Sequence, residues 1–273
     1  MKLRRKLASP YDYGIPIISV GNLIVGGSGK TPFVIALSSR YKDVTVISRG
    51  YGRKSSGLIE VSRRGKVLTD VKESGDEAML MSISLPHSSV IVSENRDAAI
   101  IYAKKNGAKI IVLDDGFNKV NIKKYDILLE PRVIYNYFAF PAGPFREFYS
   151  TRKYADSILK EEREFIREVS IEDITSKMLL VTAISNPARL DKYLPDTVVK
   201  KVYYADHAYF DEAILIKLLK EYKATSILCT SKDRVKMQSF KLPISEMKLK
   251  LEIKDEIFIK IDMYIKKEFI YEK

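Results

Sequence analysis

Tryptophan is absent from the 273 residues, cysteine occurs once and histidine twice. With Cys229 alone, an intrachain disulfide is excluded, and nothing suggests an oxidising compartment. Long apolar runs are also missing. The stretches at residues 15–20 and 178–184 fall well short of the roughly 18 residues of a membrane-spanning helix. No secretory leader is visible, because the basic residues 1–6 are followed by no apolar segment before Pro10 and Tyr11. These absences point to the cytoplasm. Acidic residues are scarce as well: 35 against 47 Lys and Arg, a net charge of +12. A field of that sign favours anionic partners, whether nucleic acid, an acidic membrane face or phosphorylated small molecules. The excess is concentrated in Lys2, Arg4, Arg5 and Lys6, and again in Arg49, Arg53, Lys54, Arg63, Arg64 and Lys66. Such runs also suit an ordinary solvated face. With 46% hydrophobic and 30% charged residues, the chain has the balance of a soluble globular protein.

Strand and helix patterns alternate along the first half. Apolar, β-branched runs at 15–20, 44–48, 89–92, 109–113 and 125–129 predict strands, and helical spacing predicts helices over 31–41 and 96–105. Pro32 is tolerated in the first turn of its helix. The second half repeats the scheme, with strands at 178–183, 198–204 and 226–230 and helices at 188–193 and 212–222. Residues 153–176 are charged, have helical spacing and read as the connection between two lobes. Residues 255–269 place Ile257, Ile261, Tyr264 and Ile265 on one helical face that should pack. The expected fold is α/β: a P-loop NTPase-like, mainly parallel sheet flanked by helices, with a second, smaller α/β lobe. The nucleotide-binding lobe is assigned to residues 1–172 and the smaller lobe to 173–273.

The strongest chemical signal is Gly26-Gly27-Ser28-Gly29-Lys30-Thr31, between a strand and a helix. Glycines let backbone N–H groups converge on phosphate oxygens, the lysine supplies a mobile positive charge, and the Thr31 hydroxyl can ligate Mg²⁺. The strict P-loop spacing is not met, since Ile24 stands where its first glycine belongs. Second is Asp114-Asp115-Gly116 at the end of an apolar strand, where nucleotide-binding P-loop proteins place the acid that holds Mg²⁺. The same residues also suit a plain Asp-Gly turn. Polar loops follow at 48–53, at Gly75-Asp76-Glu77, at residues 143–147 with Arg146, and at Asp206-His207. His207 has a carboxylate neighbour in sequence, although an isolated histidine is more often structural than catalytic.

Gly21-Asn22-Leu23 through Pro32, residues 48–53, Gly75-Asp76-Glu77, residues 113–117, residues 141–147, Asp206-His207 with Phe210, and Thr230 with Lys232-Asp233 occur here in one order. In that order they resemble the tetraacyldisaccharide 4'-kinase family, the lipid A kinases, over about residues 16–237. The unusual P-loop spacing and the Arg-Gly-Tyr-Gly-Arg block occurring together make the resemblance specific. It implies transfer of the γ-phosphoryl of ATP to the 4'-hydroxyl of a tetraacylated glucosamine disaccharide 1-phosphate, giving lipid IVA. By the same resemblance, Lys30 and the loop of Gly26, Gly27, Ser28 and Gly29 hold the phosphates. Thr31 and Asp115, with Asp114 and Glu77, arrange Mg²⁺. Asp76 is the general base, Asp206 and His207 support it, and Arg146 faces the transferring phosphoryl. The implied location is the cytoplasmic face of the inner membrane, held peripherally, with an anionic membrane surface as partner and no nucleic acid.

The sequence departs from the family pattern in places. Asn118-Lys119 stand where Gln-His is usual, and Ala78 and Phe148 each replace a proline. Only nine residues precede Pro10, so the family's hydrophobic N-terminal helix is expected to be missing. Attachment would then fall to the basic arm at residues 1–6 and the cluster at 49–66. A rival reading is a P-loop ATPase that switches a protein or nucleic-acid partner; it needs no base for an acceptor alcohol. A paralogue acting on another sugar is a third.

Overall fold

The computed structural model describes residues 5, 8–24 and 29–270. The chain divides into two compact units, one of Met1–Arg167 with Leu251–Lys273, the other of Glu168–Lys250.

The larger unit is built on an eight-stranded sheet in the order β4-β3-β5-β2-β6-β1-β7-β8. Its centre is β1 (Ile17–Asn22), every residue of which is buried. It runs parallel to β6 (Ile110–Asp114) on one side and to β7 (Tyr125–Glu130) on the other. Beyond β6 lie β2 (Val44–Ser48) and β5 (Ser89–Val92), both parallel, and beyond β7 lies β8 (Ser157–Lys160). Such β-branched runs have no polar face, so they need cover on both sides, which a parallel sheet with crossover helices supplies. The exception is the edge: β3 (Ile59–Arg63) and β4 (Lys66–Val67) form an antiparallel hairpin against β5. Helix α1 (Lys30–Ser38) buries Phe33, Val34 and Leu37. Two short helices follow, α2 (Val71–Ser74) and α3 (Asp76–Ser84). Helix α4 (Arg96–Lys105) packs Ala99, Ile100 and Ala103 against Ile17, Ile47, Ile91 and Ile111.

The chain leaves β1 toward β2 on one side, and leaves β6 toward β7 on the other. The order of the strands therefore reverses between β1 and β6. In open α/β sheets this is where a crevice opens beyond the strands' C-terminal ends. The loops after β1 and β6 thus face one another across it.

In the smaller unit a five-stranded sheet has the order β11-β10-β12-β13-β9, formed by β9 (Phe165–Glu172), β10 (Met178–Thr182), β11 (Val198–Tyr203), β12 (Ser226–Thr230) and β13 (Ile244–Ile253). Met178, Leu180 and Leu228 fill one face, and Leu179, Val181, Ile227 and Cys229 the other. Helix α5 (Glu212–Glu221) covers the second face through Leu215. The short α6 (Ser231–Arg234) follows β12 directly.

Two expectations need correction. Residues 153–176 are not a helical connection: they hold β8 and β9. In β9 every second residue from Phe165 to Ile171 is turned inward, a period of two that Arg167 on the inner face disguises in the sequence. The last helix, α7 (Asp255–Ile270), packs as expected, with Ile257, Ile261 and Ile265 buried, but it clusters with the larger unit and not with the smaller lobe. The Tyr264 hydroxyl accepts from the Ile17 N–H at 3.3 Å and donates to the Ile17 carbonyl at 3.1 Å. Tyr41 donates to Asp262 at 2.8 Å, and the Tyr125 and Tyr264 rings meet with centroids 5.3 Å apart.

Because the Tyr264 hydroxyl accepts from the N–H of the buried Ile17, Tyr264→Phe should leave that donor without its partner. The expected loss is about 1–3 kcal/mol in urea unfolding, with helix content unchanged. Stability equal to the parent's would show that α7 is held by apolar contact alone.

Candidate active site

The crevice between β1 and β6 gathers most of the residues singled out from sequence. Gly26, Gly27 and Ser28 lie outside the described residues. Gly29 precedes α1, and Lys30 and Thr31 are its first two residues. The Lys30 Nζ donates to Asn22 Oδ1 at 2.9 Å and stands 3.5 Å from Asp115 Oδ1. Asn22 ends β1, and its side-chain amide also donates to the Ile24 carbonyl at 2.7 Å, fixing the start of the phosphate loop. A Cβ on Gly29 would come within 2.9 Å of Arg167 Nη2, so β9 brings a second cation to the start of α1.

Asp114 and Asp115 end β6 and enter the turn after it. Asp115 takes a positive φ of 55°, and its N–H donates to the Val20 carbonyl at 2.9 Å. Its carboxylate points at the two cations: beside the Lys30 contact, Arg146 Nη1 donates to Oδ2 at 3.0 Å. Arg146 is positioned in turn by its own N–H, which donates to the Leu23 carbonyl at 2.7 Å. Asp114 is buried. Ser48 Oγ donates to its Oδ2 at 2.9 Å, while Oδ1 has no hydrogen-bond partner among the described residues. Burial, then the negative charges of Glu77 and Asp115, push the Asp114 carboxyl up to about 6, against the pull of Lys30 and Ser48.

Asp76 and Glu77 open α3, where the helix dipole favours acids. Asp76 is buried. Gly75 before it has φ +82°, and a Cβ there would lie 2.8 Å from the Tyr51 carbonyl, so the start of α3 sits directly under the 48–53 loop. Asp206 and His207 belong to the smaller unit. There the His207 Nε2 is 3.6 Å from Asp206 Oδ2 and 3.5 Å from Lys232 Nζ, which is itself 3.8 Å from Asp206 Oδ1. His207 has φ +62°, and its N–H donates to the Ala183 carbonyl at 3.0 Å.

Sequence reasoning gave no role to three residues, although Asn22 and Ser48 lie within the motifs it singled out. Asn22 and Ser48 hold Lys30 and Asp114, and Arg96 ties the strand ends together. The buried Arg96 guanidinium donates through Nη1 to the Ser48 carbonyl at 2.9 Å and to that of Ser93, and through Nη2 to the Asp114 carbonyl at 3.2 Å. Desolvation lowers the Arg96 pKa, with Asp114 and Asp115 opposing. Only its place as the first residue of a helix after a strand hinted at it.

The basic clusters are less free than their sequence suggests. Arg5 is half-buried: Nη2 donates to the Phe117 carbonyl at 3.0 Å, stands 3.5 Å from Glu147 Oε2, and the guanidinium lies 4.3 Å from the Phe117 ring centroid. Lys2, Arg4 and Lys6 lie outside the described residues. In the second cluster, Arg53 is bonded to Glu94, and Arg63 grips Glu60 through two hydrogen bonds of 2.8 and 2.6 Å.

Hard oxygen donors around an orphaned carboxylate oxygen suit Mg²⁺, which takes one or two protein carboxylates and completes its shell with water and phosphate. Among the described residues no group of three or more acidic, histidine or cysteine side chains could hold a metal by itself. Without ligands, the charge on Asp114 is a burden. The folded chain keeps its proton to about pH 6 and the unfolded chain only to 3.8, so stability should fall as pH rises through that window. Asp114→Asn is expected to be more stable than the parent at pH 8 in the absence of metal and nucleotide. The gap should close below pH 4, as thermal unfolding across pH would show. A variant less stable at pH 8 would mean the carboxylate is already neutralised.

A family model described as tetraacyldisaccharide-1-P 4'-kinase matches residues 1–175 and 164–266. A tetraacyldisaccharide 4'-kinase of Helicobacter pylori (strain J99 / ATCC 700824) is 48% identical over 264 residues, covering 96% of this chain and 84% of its own. One from Aliarcobacter butzleri (strain RM4018) is 45% identical over 271 residues, with coverage of 96% and 86%. Among solved structures, LpxK from Aquifex aeolicus, an "apo" form in complex with ATP, matches with a TM-score of 0.81 at 26% identity, covering 97% of this chain and 93% of its own. The family model and the relatives match over nearly the whole length: this chain belongs to the tetraacyldisaccharide-1-P 4'-kinase family.

Proposed function

We propose that this chain transfers the γ-phosphoryl of ATP to the 4'-hydroxyl of tetraacyldisaccharide 1-phosphate, forming lipid IVA. The observation that carries the reading is Lys30 held between Asn22 and Asp115 at the mouth of the β1–β6 crevice. A lysine held there on a neutral amide and a weak ion pair is ready to exchange both for phosphate oxygens. The solved relative that matches over nearly the whole chain is described with ATP, which supports the nucleotide.

In this reading the phosphate loop and Lys30 bind the β- and γ-phosphates, and Arg146 meets charge that develops on the transferring group. Thr31, Asp114 and Asp115, with Glu77 nearby, would hold Mg²⁺, which when bound neutralises charge between the β- and γ-phosphates. Asp76 takes the proton of the attacking hydroxyl, and Asp206 and His207 support that transfer. Phosphoryl transfer asks for position and charge more than for covalent steps, which is what a set of fixed cations and one base offers. The place of action is the cytoplasmic face of the inner membrane, with peripheral attachment. Among the described residues no helix is long and apolar enough to cross a membrane.

The direct test is phosphorylation of the disaccharide 1-phosphate in detergent micelles by the purified chain with radiolabelled ATP. Lys30→Ala should lower kcat on the order of 10²–10³-fold with the fold intact. Near-parental turnover would remove the nucleotide assignment. Asp76→Ala and His207→Ala should each lower kcat, by about 10²–10⁴-fold for a lost base, much more than they raise KM for ATP. The double variant should be little worse than the poorer single one. Additive losses would show independent roles, and full activity in both singles would take the base away from these residues.

A further inference from the structure

The segment between β7 and the 3-10 turn at Tyr149–Tyr154 carries its aromatic side chains outward. Tyr135, Phe138, Phe140 and Phe148 are 93, 70, 75 and 65% exposed, and Val133 and Tyr137 are exposed as well. Single exposed apolar residues are ordinary, but a contiguous group of large ones marks a surface that meets something.

The loop is built to present them. Phe145 turns inward and is buried with Leu23, Phe117 and Leu128, an anchor for the whole segment. The Phe140 N–H donates to the Phe145 carbonyl at 2.8 Å, and the Phe145 N–H to the Phe138 carbonyl at 3.3 Å. Asn136 clamps the turn from inside, accepting from the Phe138 N–H at 2.8 Å and donating to the Ala142 carbonyl at 3.0 Å. A Cβ at Gly143 would lie 2.3 Å from the Phe138 carbonyl oxygen, so the turn closes only over glycine. These bonds use backbone and Asn136 alone. Of the loop's exposed rings, Tyr137 packs against Phe145 and Tyr149, with centroids 6.2 and 4.9 Å apart, whereas Tyr135, Phe138 and Phe140 are left outward.

Charge and position indicate the partner. From Pro131 to Arg146 there is no acid; of the two bracketing arginines, Arg132 stands 2.8 Å from Glu162 Oε2 and Arg146 3.0 Å from Asp115 Oδ2. The loop starts where β7 ends at the ligand edge of the sheet and finishes at Arg146, which is bonded to Asp115 in the crevice. Tyrosine and phenylalanine between two arginines fit the boundary between anionic headgroups and acyl chains, where aromatic rings and cations both settle.

We propose that residues 133–140 form a membrane-inserting loop, with Tyr135, Phe138 and Phe140 entering the headgroup–acyl boundary of an anionic bilayer. This rests on the reading above that the acceptor is acylated, since its chains would lie in that bilayer and the loop would bring the crevice to them.

The absence of tryptophan makes the test direct. Phe140→Trp places one indole in the full chain, to be mixed with vesicles of equal parts phosphatidylethanolamine and phosphatidylglycerol carrying brominated acyl chains. Its emission should shift to the blue and be quenched, whereas Ile101→Trp, at an exposed site on α4, should show neither. Replacing both Phe138→Asp and Phe140→Asp should weaken vesicle partition about tenfold or more. ATP binding and phosphorylation of micellar substrate should stay near the parent's. No quenching at position 140 overturns the proposal, whether or not the chain sediments with vesicles. A concentration-dependent dimer that the two aspartates dissolve, without quenching, would assign the loop to a second copy instead. Failure of the parent chain to phosphorylate micellar substrate would count against the acceptor alone, because quenching decides the loop in either case.

Discussion

A carboxylate buried at the end of a β-strand, with one oxygen satisfied by a serine and the other by no described group, is costly to keep. Asp114 is that group, and much of the larger unit is arranged around it. Glu77 and Asp115 add negative charge, so the local field favours a proton or a cation. Lys30 and Arg146 answer from the solvent side through Asp115. Arg96 answers from the protein side, not by neutralising the carboxylate directly but by binding the carbonyls of Ser48, Ser93 and Asp114, which holds the strand ends in register around the charge. Burial raises the free energy of an unpaired charge and strengthens whatever finally pairs with it. A site of this kind is poorly satisfied until a ligand arrives.

The sheet makes that position available. A carboxylate can be buried at a strand end only if neighbouring strands end at the same level and the loops above them diverge. Between β1 and β6 both conditions hold, because the chain departs from the two strands in opposite directions. The register of β1 against β6 pairs Val20 with Asp114, which sets the acid beside the end of β1. Helix α7 contributes at a distance. By binding both backbone groups of Ile17 through Tyr264, it fixes the central strand from which the loop springs.

How far the fold is legible in sequence follows from which forces are local. The central strands are legible because burial on both faces writes a continuous apolar run; β2, β5 and β12 have the bounds their residues predict. Helix α4 is legible through its periodicity. Strands β9 and β13 are not, because each has one half-exposed face rich in charge, and their partners come from far along the chain. Helix α3 looks like a loop in sequence, since Gly75 and the acids after it suggest a turn until the Tyr51 carbonyl is seen pressing on them. Of the site, Lys30, Asp114, Asp115 and Arg146 announce themselves by residue type and place, and the structure brings them together in one crevice. Asn22, Ser48 and Arg96 do not, because their chemistry is ordinary and only their position gives it meaning.

The net charge of +12 shows the same division between composition and position. Read as a count, it suggests a broad basic face. In the folded chain Arg5 is engaged by Glu147 and Phe117, Arg53 by Glu94 and Arg63 by Glu60, so these members of the two basic clusters brace loops, while the net excess is carried by other residues. Paired surface charges contribute little to a distant field once salt screens them. Recognition of a large amphipathic ligand also needs short-range contacts from groups placed at the rim of the crevice. The segment from β7 to Arg146 is so placed: its inner end is fixed by Phe145, its outer end carries unburied rings, and its last residue touches Asp115. One stretch of chain thereby links an exposed apolar surface of the larger unit to the acid pair at the end of β6.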